Sequence, residues 1–267
     1  MLNSVLPERL WDSKEEKQIM SKAILRFYEE LNDLLPEHKQ KTDLEADFKG
    51  RRSVKDMIEA LGVPHTEVDL ILANGESVDF SYIVQDADRI SVYPVFESLN
   101  IENVTRLRPK PLRKTRFVAD INLRDIAKYM RALGFDVFFD PSLSPLEIIA
   151  LSREKNRIIL TRSKNLLKHK EVSHGILMRH GPTVKQIAFI IRHLDIKDRI
   201  NPFSRCLLCN SPLENISKTE IEDRIPPRTK EFCDEYAHCR KCDKIYWKGT
   251  HYIKMKHMID EILAHCH

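Results

Sequence analysis

The sequence predicts an α/β domain with a mainly parallel sheet, preceded by a smaller α+β domain and followed by a cysteine-rich, metal-binding ribbon. Three observations carry this prediction. Residues 117–140 switch from an apolar run to a helical stripe and back to a strand pattern. Several strand-like segments and one helix precede them, over 23–100. Two Cys-x-x-Cys pairs follow, Cys206 with Cys209 and Cys239 with Cys242. A chain of 267 residues holds about two domains, or three if one is small. The division expected is an N-terminal extension over 1–22, the small domain over 23–100 and a basic linker over 101–116. The α/β domain then takes 117–200, and the ribbon with a C-terminal tail takes 201–267.

Composition excludes some classes. Hydrophobic residues make up 42% and charged residues 31%, the balance of a globular protein without membrane spans. No run nears the roughly 18 apolar residues that a span needs. The opening residues, MLNSVLPERLWDSKEEKQ, lack the apolar centre of a secretory signal. Four of the six cysteines lie in close pairs, which points to metal binding in a reducing compartment. A cytoplasmic location is therefore expected. The net charge of +4 permits an acidic partner such as nucleic acid without demanding one.

In the small domain, 23–28 and 42–48 alternate like strands. Ser53 is a good N-cap, and Val54, Met57, Ile58 and Leu61 give the next helix its apolar face. Residues 68–72 form another strand, closed by a turn at Asn74-Gly75, and 89–95 form the last. Two strands, a helix and more strands is the order of a β-grasp, ubiquitin-like fold. The words VDLILANGESVDF and DADRISVYP resemble the sulfur-carrier β-grasp proteins. Those proteins work through a terminal Gly-Gly, which has no counterpart here, so a docking or nucleic-acid-facing role is expected instead.

The linker carries Arg106, Arg108, Lys110, Arg113, Lys114 and Arg116, with Pro109 and Pro111 preventing a helix. It is either a solvated connection or a run of charge contacting phosphates beside the Asp120 crevice. Phe117, Val118 and Ala119 form a buried-type strand that ends in Asp120. Leu123, Ile126, Ala127, Met130 and Leu133 make the helical stripe, Gly134 stops it, and 135–139 restart a strand. Asp120 thus falls at the carboxyl end of a strand, where open α/β sheets bind ligands. An N-cap is the plainer account of the same residue. Residues 146–154 read as a helix with Glu147 in its first turn, a position the helix dipole alone would favour. Residues 157–161 read as a further buried strand, followed by Arg162, Ser163 and Asn165. His174, His180 and His193 show no ligand spacing and are expected at the surface.

The two cysteine pairs read as a tetrahedral Cys₄ zinc ribbon, with Cys206, Cys209, Cys239 and Cys242 holding a structural ion. Cys233 is expected to be a buried thiol and Cys266 to lie in a frayed tail. Around the ribbon, Arg205, Arg240, Lys241, Lys244, Tyr246, Trp247 and Lys248 mix cations with aromatics. That mixture suits stacking of single-stranded bases, and the aromatics could equally pack the ribbon.

Asp120-x-x-Leu123, Ile126-Ala127, Arg131, 133–136 and Ile159-Leu160-Thr161-Arg162 closely resemble the Mut-seven C-terminal family of PIN-like RNase domains. The words at 199–206 and 246–251 belong to the same resemblance, which runs from about Ala23 to Met255. It implies a PIN-like domain, a β-grasp domain in front of the kind seen in bacterial members, and a terminal zinc ribbon. It implies carboxylates at one sheet edge holding Mg²⁺ or Mn²⁺ against a scissile phosphate of RNA. Asp120 matches the first acid and Glu147 an acidic position at a helix start. Pro145 and Leu146 stand where relatives have Asp, Ser163 replaces the Asp of the Thr-Arg-Asp word, and Asn165 replaces a later acid. Neutral oxygens do not balance a divalent charge, so a two-ion site is compromised while Asp120 with Glu147 can hold one ion. The expected catalytic set is Asp120, Glu147, Ser163 and Asn165. Arg113, Lys114, Arg116, Arg131 and Arg162 are the expected contacts to RNA, most simply single-stranded. The function implied is metal-dependent RNA cleavage, or alternatively an RNA-binding adaptor with weakened catalysis. A protein partner for the β-grasp face is a further expectation; a membrane partner is not.

Overall fold

The computed structural model describes residues 20–94 and 115–266. The N-terminal extension and most of the basic linker, with Arg113 and Lys114, lie outside these residues. Three sheets follow one another along the chain. The first contains β1 (Ser21–Phe27), β2 (Leu44–Phe48), β3 (Val68–Ala73), β4 (Glu76–Ser77) and β5 (Arg89–Pro94), with α1 (Val54–Ala60) between β2 and β3. Its order is β2-β1-β5-β3-β4, with β1 parallel to β5 and the other pairs antiparallel. That is the β-grasp arrangement. Ser53 caps α1 by accepting the Asp56 N–H, and Val54 and Ile58 are fully buried beneath the sheet.

The second sheet is wholly parallel, in the order β7-β6-β8-β9. Its strands are β6 (Arg116–Ala119), β7 (Asp136–Phe139), β8 (Ile158–Thr161) and β9 (Gly175–Leu177). The intervening helices are α2 (Arg124–Ala132), α3 (Pro145–Lys155), α4 (Lys164–Leu167) and α5 (Thr183–His193). Successive β6 residues are buried on opposite faces, as a sheet covered on both sides requires. Phe117 and Ala119 join the core beneath α2 and α5, whereas Val118 joins that of α3 and α4. The α2 stripe of Leu123, Ile126, Met130 and Leu133 is almost fully buried. Each such side chain contributes about 1.5–3 kcal/mol as an upper estimate. Gly134 ends the helix at φ +95°, and a Cβ there would meet the Asn201 carbonyl oxygen at 2.2 Å. Only glycine fits.

The third sheet, β10 (Glu214–Ile216), β11 (Tyr236–His238) and β12 (Ile245–Trp247), is antiparallel and bears the cysteine pairs, with α6 (Pro227–Phe232) between β10 and β11. After the ribbon, α7 (Thr250–Ala264) returns to the central domain. Met255, Ile259 and Ile262 recur at spacings of four and three and enter the core of α2 and α5. Cys266 joins them at 7% exposed, so it is not frayed. His193, expected at the surface, is buried with its ring stacked on Phe189. Cys233 is only half-buried.

Both outer strands of the parallel sheet are covered by side chains from the flanking units. On β7, Asn210 Oδ1 accepts the Val137 N–H at 3.0 Å. On β9, Glu67 Oε1 accepts the Leu177 N–H at 2.6 Å. His65 adds a second tie to the β-grasp unit, between Glu59 Oε1 at 2.7 Å and the Val172 carbonyl at 2.8 Å. Among the described residues, no helix is long and apolar enough to cross a membrane.

Candidate functional site

The chain leaves β6 toward β7 on one side and later crosses to β8 on the other. The crevice where α/β sheets bind ligands therefore lies between the carboxyl ends of β6 and β8. Asp120 follows β6 directly and is 7% exposed. Its Oδ1 accepts the Asn122 N–H at 2.9 Å, the N-cap role. Its Oδ2 accepts the Thr161 hydroxyl and, at 3.3 Å, the Arg162 N–H. Thr161 in turn accepts the Ser163 N–H at 3.0 Å. A carboxylate has about four lone-pair sites, so three bonds fix Asp120 and leave one position open.

Glu147 starts α3 and is exposed. Its Oε2 accepts the N–H and hydroxyl of Ser144, forming a capping box. The Ser144 hydroxyl and N–H hold its carboxyl below the usual range. Ser163 is exposed and caps α4, its Oγ accepting the Leu166 N–H at 3.3 Å. Asn165 is exposed on that short helix. Sequence reasoning missed Asp140. Ala119 and Phe139 are register partners on adjacent parallel strands, so Asp120 and Asp140 are each the next residue beyond a paired position. The signal was available: both close an apolar run with Asp. Ser142 donates its hydroxyl and N–H to Asp140 and lowers its carboxyl. Asp140 and Glu147 are near enough that the charge of Asp140 raises Glu147 slightly, against the stronger Ser144 effect.

A two-ion carboxylate cluster does not fit these residues. Among the described residues, only four cysteines group as potential metal ligands. Asp120 makes three hydrogen bonds, and one oxygen of Glu147 is engaged by Ser144.

The basic residues divide sharply. Arg162 lies at the crevice, with its Nη2 3.4 Å from Gln186 Oε1 and its Nε buried without a hydrogen-bond partner. Arg116 stands apart from the crevice. It is the first residue of β6, at the opposite edge from Asp120, and faces Asp136 Oδ2 at 3.8 Å. Arg131 is a correction. At 5% exposed it donates to the carbonyls of Val137, Leu207 and Leu208 at 2.8, 2.9 and 2.9 Å, leaving it spent on structure rather than open to RNA. Three cations after β8 and β9 are also committed, to the β-grasp unit. Lys164 Nζ donates to the Leu34 carbonyl at 2.9 Å, Lys168 Nζ to the Glu59 carbonyl, and Arg179 pairs with Asp33 at 2.6 Å.

The cysteine site is built by two knuckles of the same design. In each, the first cysteine's N–H donates to the carbonyl five residues on, Ser211 or Lys244. Its carbonyl accepts the N–H four residues on, from Asn210 or Asp243. Those two residues have φ +67° and +58°, the left-handed conformation that Asn and Asp tolerate. The four Sγ atoms lie within 4.8 Å of one another, with Cys206–Cys242 at 3.4 Å and Cys209–Cys239 at 3.3 Å. A tetrahedral ZnS₄ centre with bonds of about 2.3 Å needs separations of about 3.8 Å. The cluster can hold a metal such as zinc after a small expansion. Burial pushes the Cys242 and Cys239 thiols up, whereas hydrogen bonds from Ser211 outweigh burial at Cys209 and bring it down.

The family model described as the Mut7-C RNAse domain matches residues 115–259, more than half of the chain. The one described as Mut7-C ubiquitin matches residues 20–100. No curated protein and no solved structure matches the chain.

Proposed function

Because the chain belongs to the Mut7-C RNAse domain family, we propose that it is a metal-dependent ribonuclease of PIN-like type acting on single-stranded RNA at the Asp120 crevice. The observation that carries this reading is the placement of Asp120 at the switch point, buried, triply bonded and with one position open. Asp120 and Glu147 would hold one Mg²⁺ or Mn²⁺, and Asp140 adds a further carboxylate beside Glu147. A bound ion of this kind lowers the pKa of an attacking water and offsets charge on the leaving oxygen. Around it, Arg162 offers its guanidinium to the phosphate. The Ser163 and Asn165 side chains supply neutral hydrogen bonds to phosphate or water. Without the Asp that relatives carry at 163, the single-ion site makes cleavage slow. Zinc is the ion proposed for the four cysteines, in a structural role, because the closed Cys₄ set leaves no open position. Four zinc-binding cysteines and two further thiols outside any disulfide suit a reducing cytoplasm, and RNA through Arg162 is the proposed partner.

A second reading, an RNA-binding adaptor on the same fold, is favoured by one observation. The Glu147 and Ser163 side chains are both engaged in capping helices. Single-turnover cleavage of labelled single-stranded RNA with Mn²⁺ separates the two. Loss of cleavage in Asp120→Asn supports the nuclease. Absence of cleavage from both proteins, with salt-dependent RNA binding retained, supports the adaptor.

A further inference from the structure

Beyond the Asp120 crevice, we propose a base-stacking subsite for single-stranded RNA in the groove between β12, α7 and the 201–208 segment. The RNA assignment rests on the reading above; the groove stands on its own residues. It is a cavity of about 800 Å³ whose wall includes Phe203, Trp247 and Tyr252, with Lys128, Lys244 and Lys248 at the rim. Phe203 and Tyr252 rings lie 4.5 Å apart at 35°. Phe203 is held in the left-handed region at φ +59°, strained for a bulky residue, by an N–H bond to the Ala132 carbonyl at 2.7 Å. That conformation places an aromatic in the groove wall.

The two aromatics that close β12 have different roles. The Tyr246 hydroxyl turns inward, 3.2 Å from Cys206 Sγ and accepting the Leu207 N–H at 3.1 Å, so it braces the metal knuckle. Trp247, with no side-chain hydrogen bond among the described residues, packs partly against the ribbon core of Ile221, Ile225, Tyr236 and Ile245 and also lines the groove, half-buried. Charge decides the occupant. The carboxylate in the groove wall, Glu235, is neutralised by Lys248 at 2.5 Å. Among the described residues, Lys128 and Lys244 have no carboxylate partner. Lys128 Nζ lies 5.5 Å from the centre of the Tyr129 ring, a contact that leaves its charge unneutralised. Aromatic faces for bases beside lysines without a carboxylate partner for phosphates are the requirements of single-strand binding. A duplex, with its bases already stacked, satisfies only the lysines.

The helix α2 connects this groove to the crevice. It starts four residues after Asp120 and runs nine residues, roughly 13 Å, toward the ribbon. Arg124 and Lys128 are both exposed and share a face at i and i+4. A strand entering at the groove can therefore follow cations toward Asp120.

The test is fluorescence-anisotropy binding of a labelled single-stranded RNA 10-mer, without divalent ions, against the same sequence as a duplex. Tyr252→Leu is expected to weaken single-strand binding about 5- to 100-fold and duplex binding little. Lys128→Gln and Lys244→Gln, both at exposed positions, are expected to lower the salt slope by about one each. Quenching of Trp247 in a Trp11→Phe background should accompany single-strand binding. Equal binding of duplex and single strand, or unchanged affinity and slope across these variants, overturns the subsite. So does displacement of the RNA by an apolar acidic peptide with Trp247 quenched, which would make the groove a protein-docking site. Binding lost in Arg162→Gln but kept in the groove variants overturns the groove and leaves the crevice reading standing. Binding lost in the groove variants from a protein that never cleaves RNA does the reverse.

Discussion

Replacing Arg131 by Met should destabilise the central domain and ribbon together while leaving RNA binding intact. The Met stem keeps most of the packing of the Arg methylenes but loses every donor. Three carbonyls, on β7 and in the first knuckle, then lose their partner. Hydrogen bonds from a charged donor contribute about 1.5–3 kcal/mol each. Taking the lower end, because two of the three bonds are only part-buried, the loss is about 4.5 kcal/mol. For a protein of this size that is a fall in Tm of about 9–18 °C by differential scanning calorimetry. Burial lowers the Arg131 pKa, while the Cys206 and Cys209 sulfurs and Asp136 raise it. The guanidinium therefore stabilises negative charge at the metal knuckle, and its loss should also weaken zinc about 10- to 100-fold in chelator competition. The salt dependence of RNA binding should not move. An unchanged Tm with a salt slope reduced by about one would refute this assignment and restore Arg131 to the RNA surface.

Three other outcomes follow from the same geometry. One zinc per chain should be measured by atomic absorption, and Cys239→Ser should abolish tight binding and unfold the ribbon. Glu67→Ala should speed hydrogen exchange at the Leu177 amide, whereas Glu67→Gln, which keeps an acceptor oxygen, should largely preserve protection. Burial raises the Asp136 carboxyl, but hydrogen bonds from Arg157 and Asn210 outweigh it and leave the group below its ordinary range. A carboxyl lowered on folding contributes stability above its unfolded pKa and loses it as pH falls through the folded one. Tm should therefore decline as pH drops into and below the ordinary carboxylate range, and Asp136→Asn should flatten that limb from a lower starting point.

Much of the architecture was legible because its signals are local. The β6-α2-β7 unit announces itself by a change of hydrophobic period, and the knuckles by cysteine spacing. The order of strands around α1 is enough to specify the β-grasp. The failures were contacts made across long separations. Arg131 sits in a word that the resemblance assigned to RNA, yet its partners are three backbone carbonyls, two of them 76 and 77 residues away, which leave no mark in side-chain sequence. Arg116 reads as the end of a basic run, but pairing with Asp136 draws it into a strand. The α7 stripe of Met255, Ile259, Ile262 and Cys266 was readable as a helix face. Lysines and histidines between those positions hid it. The capping positions of Asp120 and Glu147 were legible by residue type and place in the chain. Asp140 carries the same mark as Asp120, an Asp closing an apolar run, and strand register is what sets the two side by side.

The amides of Val137 and Leu177 have a wider consequence. Each is a main-chain donor on an outer strand, and each is met by a side chain borrowed from a different neighbour. A chain cut to the central α/β unit would lose the α7 cover over its α2 and α5 core and bare both borders, inviting strand-to-strand association with other copies. Deletion of either flank would then be scored as aggregation, whatever that flank does for RNA. The three units can be told apart on paper, but they are not separable parts: the middle one is finished only by the other two.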